Sequence, residues 1–146
     1  KYIINSFSYC FKGSKKYPPL LKLFDIKKKF KIGKFINIET VKVRHGSINS
    51  VSYIINKKIA YLPDANEIYK NDYKKFFKLD YLVVDCLRYK THPSHFNLDD
   101  VLKMNIDLKP KKLILTNLHS DLDYDKLINI LPKNTKPAYD GLTLNF

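Results

Sequence analysis

The sequence predicts an α/β domain of layered strands and helices, and three observations carry that prediction. Residues 36–43 (Ile-Asn-Ile-Glu-Thr-Val-Lys-Val) alternate apolar and polar at period two, the pattern of a half-buried strand. Residues 81–84 (Tyr-Leu-Val-Val) and 113–116 (Leu-Ile-Leu-Thr) are short continuous apolar runs, the pattern of strands covered on both faces. Amphipathic segments separate and follow these runs, so strand and helix alternate through the second half of the chain.

Taken in order, residues 1–34 have little periodicity and carry an aromatic Pro-Pro element at Tyr17-Pro18-Pro19. The chain starts at Lys1 and not at Met, which predicts that it begins in the middle of a larger unit. After the lysine-rich stretch 27–34, with Gly33 as its turn, the strand 36–43 ends at Arg44-His45-Gly46. Residues 52–55 and 59–62 form a hairpin around Asn56-Lys57-Lys58, and its second strand stops at Pro63-Asp64-Ala65-Asn66. Residues 67–78, with Ile68, Phe76 and Phe77 among lysines, predict an amphipathic helix.

The strand 81–84 delivers Asp85 to its carboxyl end, and a loop carrying His92-Pro93-Ser94-His95 follows. Asn97 caps a helix over 98–108, with Asp99 and Asp100 in the first turn complementing its dipole. The strand 113–116 ends at Asn117-Leu118-His119; a helix opens at Asp123 or Tyr124 and runs to Leu131; residues 142–146 close as a final strand. No internal repeat is visible.

Composition bounds the function. With 146 residues, 45% of them hydrophobic, the chain can bury one core. No apolar run reaches membrane-spanning length and none resembles a signal peptide, so a soluble cytoplasmic protein is expected. Cys10 and Cys86 show no CxxC spacing and are read as buried small residues of a reducing compartment. Against 14 acidic residues stand 27 basic ones, a net charge of +13, which raises a nucleic-acid-binding reading through counterion release. Only Arg44 and Arg88 are arginines, however, and the fork-shaped guanidinium is what phosphate and base recognition favour. A solvated lysine surface is the main reading of the charge, with an electropositive approach for an anionic substrate second.

The titratable residues say more. His45, Asp64, Asp85, His95 and His119 all fall at or just beyond the carboxyl ends of predicted strands, where open α/β sheets build their sites. All four histidines, His92 included, lie in turns. This pattern points either to a divalent-metal site or to acid–base work, and the absence of HxH, HExxH and CxxC leaves both open.

Six motifs occur in order: His45-Gly46-Ser47-Ile48-Asn49-Ser50, Tyr61-Leu62-Pro63-Asp64, Val84-Asp85-Cys86-Leu87-Arg88, His92-Pro93-Ser94-His95-Phe96, residues 115–124 (Leu-Thr-Asn-Leu-His-Ser-Asp-Leu-Asp-Tyr) and Ala138-Tyr139-Asp140-Gly141-Leu142. Together they resemble metallo-β-lactamase-fold metal-dependent hydrolases, in the branch of the phosphoribosyl cyclic phosphodiesterases, over residues 17–146. The resemblance implies an αββα sandwich of which residues 1–146 are a single incomplete domain, the C-terminal half, with a mixed sheet covered by helices. It also implies two divalent metals, zinc or manganese, between the two halves, and a small phosphate-ester substrate.

Carried over residue by residue, His45 and Asp64 match metal ligands, and His95 matches a catalytic residue that protonates the leaving alkoxide. Asp85, Arg88 and Asp140 match positions whose hydrogen bonds hold loops and orient the ligands. His92 and His119 match nothing so specific; His119 lies two residues past the family's final ligand position and is read as a supporting or an exposed group.

Two departures temper the match. The family's HxHxDH motif is absent from these 146 residues, and Asn117 stands at the final metal-ligand position, where a neutral amide replaces an imidazole. The expectation is an N-terminally truncated form, inactive alone, with an apolar sheet face that an N-terminal half or a second copy would cover. The alternatives are a catalytically inert remnant or interaction module, and a basic nucleic-acid-binding domain.

Overall fold

The computed structural model describes residues 2–145. Eight strands join in one mixed sheet: β1 (Lys29–Ile32), β2 (Ile36–His45), β3 (Ile48–Ile55), β4 (Ile59–Leu62), β5 (Glu67–Ile68), β6 (Tyr81–Asp85), β7 (Lys112–Thr116) and β8 (Thr135–Pro137). Their order is β1-β2-β3-β4-β6-β7-β8, with β5 on β2. The strands from β1 to β4 pair antiparallel, as hairpins must, whereas β4-β6, β6-β7 and β7-β8 pair parallel. Each parallel step from β6 onward has a helical crossover, α4 (Leu98–Leu108) and then α5 (Tyr124–Ile130).

Register assigns the faces. Val41, Ile54, Ala60, Leu82 and Leu113 lie on one face, and their alternates Val43, Leu62, Val84 and Leu115 continue it. Leu98, Val101, Met104 and Leu108, spaced three and four apart along α4, join these residues in one buried cluster together with Leu127 of α5, Phe76 and Leu79. A buried hydroxyl in this layer, that of Ser52, donates to the Tyr61 carbonyl at 2.8 Å. α4 starts at a capping box, with the Asp100 amide donating to Asn97 Oδ1 at 2.9 Å, and stops at Lys109, whose φ of 52° is left-handed.

Strands β2, β3, β4, β6 and β7 and helices α4 and α5 form where the sequence pattern places them, and four expectations need correction. Residues 67–78 are not one helix. Glu67 and Ile68 pair with the free edge of β2 opposite Arg44 and Val43, and only α3 (Lys70–Tyr73) and a 3₁₀ turn (Lys74–Phe76) follow. Within this segment only Ile68 and Phe76 are buried, too few for a helical stripe, so strand pairing overrides local propensity. The predicted last strand, 142–146, has no regular structure over 142–145, and Phe146 lies outside the described residues. The sheet ends instead on β8, a three-residue edge strand bearing Pro137, whose missing amide suits an edge. Cys86 is buried as expected, and burial with nearby Asp85, Asp100 and Asp121 pushes its thiol up to about 12; Cys10, in α2 (Ser8–Phe11), is partly exposed.

The fourth correction concerns apolar exposure. On the face opposite α4, Ile38, Ile59 and Ile114 are buried to 9%, 7% and 3% exposure, while Tyr61 is 41% exposed. The largest apolar exposure lies instead before the sheet, from α1 (Tyr2–Ser6) to Ile26, where Tyr2, Tyr9, Tyr17, Leu20 and Phe24 are each more than 70% exposed. The expected uncovered surface therefore sits mainly on this segment and only in part on the sheet. No helix among the described residues is long and apolar enough to cross a membrane.

Lys75, in the 3₁₀ turn, bridges Glu39 of β2 at 2.9 Å and Asp72 of α3 at 2.8 Å, tying both segments to the sheet. Its ammonium holds the Glu39 carboxyl below the usual range. A depressed carboxylate stabilises the fold above its unfolded pKa and loses that contribution as pH falls through the folded value. Glu39→Gln should therefore cost about 0.2–1 kcal/mol at neutral pH, and the difference from wild type should shrink in urea melts as pH falls through the unfolded carboxyl pKa and vanish only below the depressed folded one. Leu113→Ala, deep in the shared cluster, should cost about 2–5 kcal/mol in the same melts.

Candidate functional site

The parallel strands β4, β6 and β7 end at the same edge of the sheet, and the residues just past those ends meet there. β2 runs antiparallel to its neighbour and arrives at this edge with its last residue, His45. A two-residue turn at Gly46-Ser47 returns the chain as β3. Gly46 has a φ of +62°, and a Cβ there would lie 3.1 Å from Ser94 Cβ, so the turn needs both glycine's backbone freedom and its lack of a side chain.

Asn66 fixes that turn. Its Oδ1 accepts from the Gly46 amide at 2.9 Å, its Nδ2 donates to the Pro93 carbonyl at 3.2 Å, and its own amide donates to the Arg44 carbonyl at 2.9 Å. One side chain thus joins the end of β2, the segment after β4 and the 92–95 loop. Sequence reasoning passed over Asn66; the signal available was an amide residue two positions past a strand-end aspartate, which is common in any turn.

Asp85, at the end of β6, has no exposed surface. Its Oδ2 pairs with His95 Nδ1, its Oδ1 accepts from Asn117 Nδ2 at 3.1 Å, and the Ala65 amide approaches Oδ2 at 3.5 Å. Burial pushes the Asp85 carboxyl above the usual range, and the hydrogen bonds from His95, Asn117 and Ala65 pull it back. With Nδ1 occupied, His95 turns Nε2 toward His45, and the two Nε2 atoms stand 3.2 Å apart. The rings meet edge to face at a centroid separation of 4.6 Å.

Asp64, exposed just beyond β4, completes the cluster: one ligand atom each from His45, Asp64 and His95 lie within 4.8 Å of one another. Two imidazole nitrogens and a carboxylate oxygen converging on one point are donors that a borderline divalent ion accepts. The site residues therefore fit a metal, though none is part of the structure described.

The other predicted residues take separate places. Arg88 donates to the carbonyls of Lys90 and Thr91 at 3.3 and 3.0 Å, within its own loop. His92 lies with its ring 5.1 Å from that of His95; burial first, then Arg88 and the neighbouring imidazoles, pull its pKa down. His119 is exposed and turned to Asp121 at 3.0 Å, outside the converging group. Asp140 is exposed past β8 and also lies outside the converging group. A cavity of about 690 Å³, lined by Lys29, Phe30, Phe35, Ile38, Ile54 and Lys57, opens at the opposite end of β2, away from these groups.

A mixed sheet with helices packed on it, carrying a His-His-Asp cluster at the strand ends, defines a metallo-β-lactamase-type α/β fold with a candidate metal centre. The chain belongs to the β-lactamase superfamily domain family, whose pattern matches residues 2–117. It is similar to a diphosphatase from the PhnP family, with 27% identity and a TM-score of 0.87 over 99% of this chain and 53% of that one. YhfI from Bacillus subtilis, a metallo-β-lactamase-fold protein, aligns with 16% identity and a TM-score of 0.72 over 95% and 60%. Human tRNase Z, short form, aligns with 14% identity and a TM-score of 0.60 over 81% and 47%; these last two show the fold alone. The chain spans about half the length of the diphosphatase, 53%. No curated protein matches it.

Gly46→Ala should lower stability by about 1–2 kcal/mol from the left-handed backbone alone, more if Ser94 cannot give way. Urea denaturation checks the size, and the histidine Cε1–H proton signals of His45 and His95 should move with it, because the turn positions one ring against the other.

Proposed function

We propose that this chain is part of a metal-dependent hydrolase of phosphate esters, phosphodiesterase-like in its chemistry. The convergence of His45, Asp64 and His95 at the strand ends carries the reading, and the similarity to a PhnP-family diphosphatase supports the substrate class. His45 and Asp64 are the residues that would hold zinc or manganese. A divalent ion there supplies Lewis-acid stabilisation of charge on the phosphate oxygens. His95, its Nδ1 committed to Asp85, offers Nε2 as the group that hands a proton to the leaving alkoxide. Asp85 orients that ring, and Arg88 shapes the loop leading to it.

Residues 1–146 are taken as one incomplete domain of the fold, because they span 53% of the diphosphatase and contain no HxHxDH segment. Two ligands, His45 and Asp64, fall short of the two-metal set such chemistry uses, so the 146-residue chain is proposed to be inactive alone. The lysine surface suits approach of an anionic ester, and a segment carrying the missing ligands would cover the apolar side chains between Tyr2 and Ile26.

The test adds a separately produced N-terminal segment bearing HxHxDH, with zinc or manganese, and follows bis(p-nitrophenyl) phosphate. Turnover is expected only in the mixture, and His95→Ala should cut it by about 10²–10⁴-fold. A folded mixture that retains no metal and turns over no ester overturns the proposal.

Asn117 favours a second reading, an inert module. Its amide is engaged with Asp85, at the position where the resemblance places a ligand histidine. Asn117→His in the mixture separates the two: a gain in metal content and turnover supports the hydrolase, and no gain with an inactive mixture supports the inert module.

A further inference from the structure

We infer that this chain, without any added segment, holds one zinc-class divalent cation in a mononuclear site, with His95 as a metal ligand beside His45 and Asp64. The inference rests on reading the strand-end cluster as a metal site, but it reassigns His95 whenever the chain stands alone. Three observations carry it.

The first is a distance. Two imidazole nitrogens each 2.0–2.1 Å from a tetrahedral zinc lie about 3.3–3.4 Å apart, as the edge of the tetrahedron requires. His45 Nε2 and His95 Nε2 stand 3.2 Å apart. The two nitrogens are thus already at the spacing an ion needs, at a strand end and a loop 50 residues apart in sequence.

The second is the carboxylate behind the ring. Asp85 is fully buried and accepts from His95 Nδ1, which leaves Nε2 as the free donor atom facing the cluster. A histidine whose distal nitrogen is held by a carboxylate is the usual arrangement of a zinc-ligating imidazole, because the carboxylate fixes the tautomer and raises the basicity of the other nitrogen.

The third is Asn117. Its Nδ2 donates to the Asp85 Oδ1, so the amide at the family's last ligand position braces the same carboxylate. The chain therefore brings one cluster of three donors and no second one among the described residues. Two imidazoles and one carboxylate suit zinc, cobalt or nickel over magnesium or calcium, which prefer all-oxygen sets. Without an ion, the His45–His95 contact needs a proton on one of the two Nε2 atoms; binding requires both imidazoles as their Nδ1–H tautomers, which turns both Nε2 lone pairs to the cation. Asp64, exposed and unconstrained by any strand, swings in as the third ligand.

Zinc alone is the probe. The full 146-residue chain, labelled with ¹⁵N-histidine, is titrated with zinc chloride and followed by long-range ¹H–¹⁵N correlation and calorimetry. Expected are one equivalent bound, with the Nε2 resonances of His45 and His95 shifting together and those of His92 and His119 unmoved. Cobalt(II) in place of zinc should give the visible absorption of a low-coordinate ion. Asp85→Asn should weaken zinc binding about 10–100-fold while leaving the stoichiometry at one. Asp64→Asn, at an exposed position, should weaken it without altering the fold.

An unmoved His95 Nε2 at saturating zinc overturns the inference, whatever else binds, and so does a folded chain that binds no zinc. The wild-type spectra decide even if a variant fails to fold. The outcome is separable from the catalytic proposal. A chain that binds zinc through His95 but gives an inactive mixture upholds the site and sinks the hydrolase. An active mixture with no zinc on the chain alone does the reverse.

Discussion

A carboxylate with no exposed surface is tolerable only when its lone pairs are met, and Asp85 meets them with groups from three different segments. The Ala65 amide comes from the end of β4, Asn117 from the end of β7, and His95 from the loop after β6. β6 lies between β4 and β7, so its last residue is the one position from which a side chain can reach both neighbours' ends. Pairing in a parallel sheet sets the register, and the register sets the distances: Leu62 lies opposite Val84, and Asp85 opposite Thr116. The site's geometry is in this sense a product of the sheet's core, in which Leu62, Val84 and Leu115 are all fully buried.

That anchor accounts for His95 and leaves His45 unexplained, because β2 is not adjacent to β6. A second tie supplies it. Asn66 links the Gly46 amide, the Pro93 carbonyl and the Arg44 carbonyl, closing the distance between the β2–β3 turn and the 92–95 loop. Gly46 allows the close approach, since any side chain would meet Ser94. The two ties converge on the His45–His95 contact from opposite sides. Each of the rings is then only partly exposed.

The sequence showed the fold best where burial is two-sided and strongest. Alternation located β2, continuous apolar runs located β6 and β7, and the Asn97 cap with its acidic first turn located α4. These signals failed at the margins: β1, β5 and β8 carry few buried residues, and their strand state comes from an available neighbouring edge, which no local pattern encodes. The site followed the same division. Strand-end positions singled out His45, Asp64, Asp85 and His95 together, and motif order supplied the family. Pairings across loops, such as Asp85 with His95 or Asn66 with Gly46, depend on three-dimensional register and were not readable. His119 shows the limit from the other side, since it too follows a strand and yet faces Asp121 at the surface.

Asn117 joins the anchor to the metal question. It sits at a φ of +61°, a conformation that asparagine accepts more readily than most residues, and its amide reaches the buried carboxylate at 3.1 Å. A neutral imidazole there could present one nitrogen to an ion and one N–H to Asp85, so histidine could serve both ends. An amide also has two ends, but its oxygen is a weak partner for a borderline ion, and its N–H is a strong one for a carboxylate. Asparagine at this position therefore favours the buried end over the metal end. What remains around Asp85 is a fully satisfied network that needs no second ion to hold it together. The converging His45, Asp64 and His95 are left as the one group of the chain's described residues in which a cation would find its ligands already gathered.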